Sequence, residues 1–317
     1  MTTGRRKFLE VGGLAVAGAG LLSVREARAS EGTPAGDAAG VLVDTTLCVG
    51  CRGCEAACSE ANGLPPPPDG DEVLARLRTT SQTAFTVVNR TEKAPGVERF
   101  GKKQCMHGLA PACASACPVR AMDKLASGPV VYDAGKCMGC RYCMIACPFD
   151  IPKYEYESAA PRVRKCTFCA ERQKGGLRPA CTEVCPSGAL TFGKRDALLD
   201  AAKARIYQNP ERYRHVVYGE EEAGGTSWLY LTDVDLAKLG FRTDVPDRSY
   251  PELVSGALGA PPFVMTLWPP LLMGLYAFSQ RRNGDPEGGA GGGEGPGAEG
   301  AGDAARRGAA GKGTRHG

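Results

Sequence analysis

Fifteen cysteines fall into four tight sets: Cys48, Cys51, Cys54 and Cys58; Cys105, Cys113 and Cys117; Cys137, Cys140, Cys143 and Cys147; and Cys166, Cys169, Cys181 and Cys185. The first and third read C-x2-C-x2-C-x3-C. At that spacing three thiolates wrap one face of an iron–sulfur cluster, and the cysteine three residues further on reaches a second one. Amides in the intervening loop can donate hydrogen bonds to the cluster's sulfurs. Pro118, Pro148 and Pro186 follow the last cysteine of three sets and fix the turn as the chain leaves, whereas Cys58 is followed by Ser59. The chemistry on offer is the uptake and release of single electrons. No nucleophile–base set, paired carboxylate site or phosphate loop accompanies it, and Gly224-Gly225-Thr226 is too short to count as one. The chain reads as a relay and not as a catalyst.

Two blander readings compete. Cysteine-dense exported domains are often disulfide frameworks, but this chain is long and apolar enough not to need one, and disulfides do not call for two-residue spacings. Cys-x-x-Cys pairs also build zinc sites, yet zinc closes with two such pairs and leaves the fourth cysteine of each run unused.

Five segments carry a family resemblance: TLCVGCRGCEAAC (Thr46 to Cys58), KKQCMH (Lys102 to His107), GCRYCMIACPFDIPKYEY (Gly139 to Tyr156), CTEVCPSGALTFG (Cys181 to Gly193) and VYGEEEAGGTSWLYLTDV (Val217 to Val234). With them the chain resembles the periplasmic four-cluster ferredoxin-like subunits of membrane-bound respiratory oxidoreductases, above all the electron-transfer subunit of membrane-anchored uptake [NiFe]-hydrogenases. The resemblance implies an α+β fold of two interleaved bacterial-ferredoxin-like dicluster units with an insertion, over residues 41–234. It also implies which cysteines share a cluster. One cluster takes Cys48, Cys51, Cys54 and Cys185, and its neighbour Cys58, Cys166, Cys169 and Cys181. A third uses Cys105, Cys113 and Cys147, and a fourth Cys117, Cys137, Cys140 and Cys143.

The third set departs from the family pattern C-x2-C-x4-C-x3-C-P, because Gly108 stands where its second cysteine belongs. Three thiolates cannot hold a fourth iron, so the expected complement is three [4Fe-4S] clusters and one [3Fe-4S] cluster. A [4Fe-4S] cluster that keeps a water, or one that takes His107 as an imidazole ligand, also fits the sequence.

The elements that must position these cysteines are short. Val41 to Asp44 and Pro129 to Tyr132 each read as a strand leading into a cysteine loop, and Ala189 to Phe192 as a strand leaving one. Four consecutive prolines, Pro65 to Pro68, place residues 59–72 in a surface loop of the insertion, and Thr83 to Val88 can form a strand of it. Asp196 can cap a helix with Leu198, Leu199, Ala202 and Ile206 on one face. Trp228 to Leu231 read as a strand. Arg141, Lys153 and Lys165 lie near cysteines, and a solvated surface position is expected for each.

The ends speak to location. Residues 1–29 carry Arg5-Arg6, a glycine-softened apolar stretch from Val11 to Val24, and Ala27-Arg28-Ala29. That is the pattern of a twin-arginine export signal with its cleavage site. Removing its five basic and two acidic residues brings the formal charge from +4 to +1, which leaves no electrostatic case for nucleic acid. Residues 253–280 hold no charge and precede Arg281-Arg282, so a transmembrane anchor is expected there, with its C-terminal side cytoplasmic. Pro261-Pro262 are expected at its start and a kink at Pro269-Pro270. The glycine- and alanine-rich residues 283–317 are expected to be a disordered tail. The implied partners are a catalytic subunit, by resemblance a [NiFe]-hydrogenase, and an integral membrane quinone-reactive subunit. The runner-up is the same relay serving a molybdenum or tungsten enzyme, such as a formate dehydrogenase or a sulfur-compound reductase. A structural metal protein is the remaining class.

Overall fold

Val41, Leu42 and Val43 are all buried, as a strand covered on both faces requires. A computed structural model describes residues 38–283, so the expected export signal and the tail beyond residue 283 lie outside the described residues. Along the chain the elements are β1 (Ala39–Asp44), α1 (Gly53–Ala61), β2 (Val87–Ala94), β3 (Val97–Lys103), α2 (Ala112–Ser115), β4 (Met122–Lys124), β5 (Val130–Tyr132) and α3 (Tyr142–Ala146). They continue with β6 (Lys153–Tyr154), β7 (Val163–Arg164), α4 (Ala170–Lys174), α5 (Ala180–Glu183), β8 (Leu190–Lys194), α6 (Arg195–Gln208), β9 (Trp228–Leu231) and α7 (Tyr250–Asn283).

β1 is the central strand of a three-stranded sheet, antiparallel to β8 and parallel to β9. Its two-residue period sorts the core. Val41 and Val43 join Trp228, Tyr230 and four cysteines, Cys58, Cys105, Cys166 and Cys181, in one apolar cluster. Leu42 points the other way, to Leu229, Leu231 and the Leu198 and Ala202 face of α6. Leu199 and Ile206 are half-buried against the same cluster. Asp44, at the end of β1, is buried and accepts from Arg205 and Tyr213, each at 3.0 Å, which ties the sheet to α6 and the chain beyond it.

Several expectations shift. The segment expected as a loop from residue 59 is still helical to Ala61, because Ser59 keeps the amide that a proline there would lack. The insertion strand starts at Val87 and pairs with β3 in a hairpin that reaches Lys103. α6 begins at Arg195 with Lys194 in the cap position and no side-chain cap, so Asp196 sits in the first turn, where its charge suits the helix dipole. α7 starts at Tyr250, upstream of Pro261-Pro262. Pro251 presets the first turn, and Ser249 Oγ accepts from the Glu252 amide.

The chain divides into two units, the second beginning at Pro261. Within it, α7 runs unbroken through Pro269-Pro270. Pro261–Ser279 is long and apolar enough to cross a membrane, with a mean hydropathy of 1.2 and its side chains exposed.

Candidate metal centres

The four cysteine sets share one backbone device. The residue two places after the first cysteine of each set has a left-handed backbone: Gly50 at φ 71°, His107 at 49°, Gly139 at 75° and Phe168 at 54°. That conformation turns successive amides toward the loop interior, the arrangement that binds anions. The amides of Gly139 and Phe168 reach Cys137 Sγ and Cys166 Sγ at 3.4 and 3.3 Å. Glycine accepts this backbone freely, whereas His107 and Phe168 hold it at a cost of ~1 kcal/mol each. The Cys-Pro turns repeat a second device, with Arg120, Asp150 and Gly188 left-handed three places after Cys117, Cys147 and Cys185. Cys58 lacks the proline, and its chain stays in α1.

The tertiary structure brings distant cysteines together. One cavity is lined by Cys48, Cys51, Cys54 and Cys185, and another by Cys105, Cys113 and Cys147 with Gly108, Pro111 and His107. The electrostatics trace the remaining neighbours. Burial raises the Cys58 thiol to about 12, opposed by Lys102 and reinforced by Cys181 and Cys169. Burial raises Cys143 to about 11, with Cys117, Cys137 and Cys140 adding to it. Adjacent sets also touch. Burial pushes Cys54 up, Lys102 opposes, and Cys181 of the second group adds to the rise. Cys166 is pushed up by burial and then by Cys58, with Cys105 of the third group contributing. Cys113 reaches about 12 through burial, opposed by Lys165 and reinforced by Cys105, Cys147 and Cys143 of the fourth group. The groups therefore stand in a row, and Cys51 in the first and Cys140 in the fourth are the two exposed cysteines.

These residues fit iron–sulfur clusters on three counts. None of the fifteen cysteines is in a disulfide. Second, cysteines from distant loops line common cavities, Cys185 with Cys48, Cys51 and Cys54, and Cys147 with Cys105 and Cys113, which gathers the sulfur donors a cluster needs. Third, Lys102, Lys124 and Lys165 are buried, at 2%, 8% and 5% exposure, and none pairs with a carboxylate among the described residues. A buried ammonium without a counter-ion costs several kcal/mol, and thiolate-ligated clusters supply the missing negative charge. Two buried N–H groups, Trp228 Nε1 and His107 Nε2, likewise lack a protein acceptor.

His107 was a possible fourth ligand for the third group. Its Nδ1 accepts from the Val130 amide at 2.9 Å. Burial lowers its pKa well below the ordinary value, and Lys165, Lys124 and Lys102 add to that, so the ring is neutral. A neutral imidazole that accepts at Nδ1 carries its proton on Nε2, which makes Nε2 a hydrogen-bond donor and not a lone pair for iron.

Lys165, expected at a solvated surface position, is buried. Lys153 is partly buried and ion-paired with Asp150, while Arg141 is exposed. Lys102 and Lys124 were missed, because nothing in the sequence distinguishes a lysine that a hairpin or a short strand carries inward.

A family of 4Fe-4S dicluster domains matches residues 98–195. A protein of Nitratidesulfovibrio vulgaris is 48% identical over 287 residues, covering 88% of this chain and 77% of its own length. Hydrogenase-2 operon protein HybA of Escherichia coli is 38% identical over 278 residues, 74% of this chain and 84% of its own. The nitrate-inducible formate dehydrogenase iron–sulfur subunit of Escherichia coli is 37% identical over 202 residues, 60% of this chain and 66% of its own.

Proposed function

Because the chain belongs to the family of hydrogenase-2 operon protein HybA, iron–sulfur electron-transfer subunits related to those of formate dehydrogenases, we propose that it relays electrons between a periplasmic catalytic partner, a [NiFe]-hydrogenase, and the membrane quinone pool. The observation that carries this reading is the packing of the four cysteine groups, with cysteines of the first three in one apolar cluster and of the third and fourth in another, and exposed Cys51 and Cys140 in the first and the fourth.

Cys48, Cys51, Cys54 and Cys185 hold the first [4Fe-4S] cluster, Cys58, Cys166, Cys169 and Cys181 the second, and Cys117, Cys137, Cys140 and Cys143 the fourth. Cys105, Cys113 and Cys147 hold a [3Fe-4S] cluster, since His107 has no free lone pair and Gly108 no side chain. When bound, the clusters accept and release one electron each. The chain's own residues supply the cradle: turned loop amides, buried lysines, and an apolar core around Trp228 and Tyr230 that excludes water between neighbouring groups. Met138, Tyr142 and Ile145 are exposed in the same stretch of chain as exposed Cys140, and exposed Val49 lies two residues before exposed Cys51, so each end of the row carries apolar surface suited to a docked partner. Residues 1–29 direct export of the folded subunit through the twin-arginine pathway, and residues 253–280 anchor it, with the cysteine-bearing body on the periplasmic side. Replacing both Arg5 and Arg6 by lysine should abolish export; normal delivery of that variant would refute the assignment.

Purification of the native complex tests the partner. Nickel in the co-purified catalytic subunit supports the hydrogenase reading. Molybdopterin there supports the alternative, a relay for a molybdenum or tungsten enzyme, which the likeness to formate dehydrogenase subunits keeps in view.

A further inference from the structure

Buried lysines are distributed unevenly along the row. Lys102, on β3, lines the cavity of Cys48, Cys54 and Cys185, and it packs over Trp228, whose ring shares one apolar cluster with Cys58, Cys166 and Cys181 of the second group. Its ammonium donates to Gln104 Oε1 at 2.9 Å and lies 4.4 Å from the Trp228 ring centroid. Its backbone is held as firmly, since Tyr230 Oη donates to Lys102 O at 2.7 Å and accepts from Gln104 Nε2 at 2.6 Å. The third group has two such cations. Lys124 donates to the carbonyls of His107 and Gly128, and Lys165 to those of Val130 and Cys166. The fourth group has none among the described residues. Arg141, nearest in sequence, is exposed and lies over Tyr154 and Tyr156, and exposed Lys136 pairs with Asp133.

We propose that Lys102 is a positioning cation shared by the first and second groups, which raises the reduction potentials of both together, and that the fourth group, with no buried cation, is the lowest-potential position in the row. The physical reason is that one added electron brings one negative charge, with no proton needed. A fixed positive charge in a dry, unscreened interior favours that addition at every centre it faces. Local net charge is among the determinants of cluster potential. Because Lys102 faces two groups, it raises both by comparable amounts, which keeps the step between them small. The inference rests on the cluster reading above.

The test is an EPR-monitored redox titration of the intact complex, with iron and sulfide counted in the same samples. Lys102→Met should lower the potentials of the first and second clusters by at least 59 mV each, a tenfold change in a one-electron equilibrium, while the third and fourth move far less. Lys102→Arg should restore most of the shift. Full iron content with unchanged potentials, or equal shifts at all four clusters, overturns the proposal and leaves the cluster reading intact. Absence of clusters from the unsubstituted protein defeats the cluster reading instead. If Lys102→Met cannot retain iron, the unsubstituted complex still decides. The signal altered by Cys140→Ser must titrate at the lowest potential of the four, and any other order overturns the proposal.

Discussion

A side chain added at Gly108 would meet Pro111 Cα at 3.7 Å, an ordinary van der Waals contact, on a backbone that is not left-handed. The position therefore has room for the cysteine that the family pattern places there. Gly108→Cys is expected to supply a fourth thiolate to the group of Cys105, Cys113 and Cys147. On the [3Fe-4S] reading proposed above, the near-isotropic EPR signal expected of the oxidised protein should disappear, and iron should rise from about fifteen to about sixteen per chain. Persistence of that signal at full occupancy would show that the added thiol does not reach the site.

Cys185 follows α5 but lines the cavity of Cys48, Cys51 and Cys54. Cys185→Ser should therefore perturb the cluster of the first loop and spare the one held by Cys166, Cys169 and Cys181, its sequence neighbours. Mössbauer or EPR spectra of Cys185→Ser and Cys48→Ser should match each other, and both should differ from Cys169→Ser.

Glu55 is 3% exposed and accepts from Arg52, Arg78 and the Val88 amide, joining α1 to β2. Its removal leaves two guanidinium groups without their counter-charge in a mostly buried place. Glu55→Ala should cost ~3 kcal/mol. Glu98→Ala breaks the exposed Arg90 pair and should cost at most ~0.5 kcal/mol. Chemical unfolding of the two variants side by side checks the contrast, and equal losses would contradict it.

Asp233 accepts from Arg99 and Lys93 and so fastens the β2–β3 hairpin, which carries Lys102, beside β9. Burial pushes its carboxyl up, but the two hydrogen-bonded cations outweigh that and hold it below the ordinary value of 3.8. A depressed folded-state pKa means the stabilisation is complete above pH ~4 and is lost as pH falls through the folded value. Hydrogen-exchange protection of the hairpin should hold at pH 5 and weaken toward pH 3. Asp233→Asn should show the weakened protection already at pH 7, with a cost of ~1 kcal/mol.

The strands beside the cysteine loops were legible because their periodicity is local. Val41 to Asp44, Val130 to Tyr132 and Trp228 to Leu231 alternate or bury as their residue types require. The β2–β3 hairpin was only half seen, since Arg90, Glu92, Lys93, Glu98 and Arg99 mask the pattern on a largely exposed ribbon. The start of α7 was misplaced because proline pairs look like boundaries, whereas Pro251 in a first turn is the better helix-starting signal.

Cysteine number and spacing, the glycine at position 108 where the family pattern has a cysteine, and the apolar stretch before Arg281 were all readable in the chain itself, because a cysteine loop is a few residues long and an apolar helix declares itself by composition. Which groups stand next to one another in the row, the proton on His107 Nε2 and the inward turn of Lys102, Lys124 and Lys165 were decided only by tertiary structure. Each depends on residues far apart in sequence meeting in a low-dielectric interior, where a charge or a hydrogen-bond partner acts through space with no trace in its neighbours along the chain.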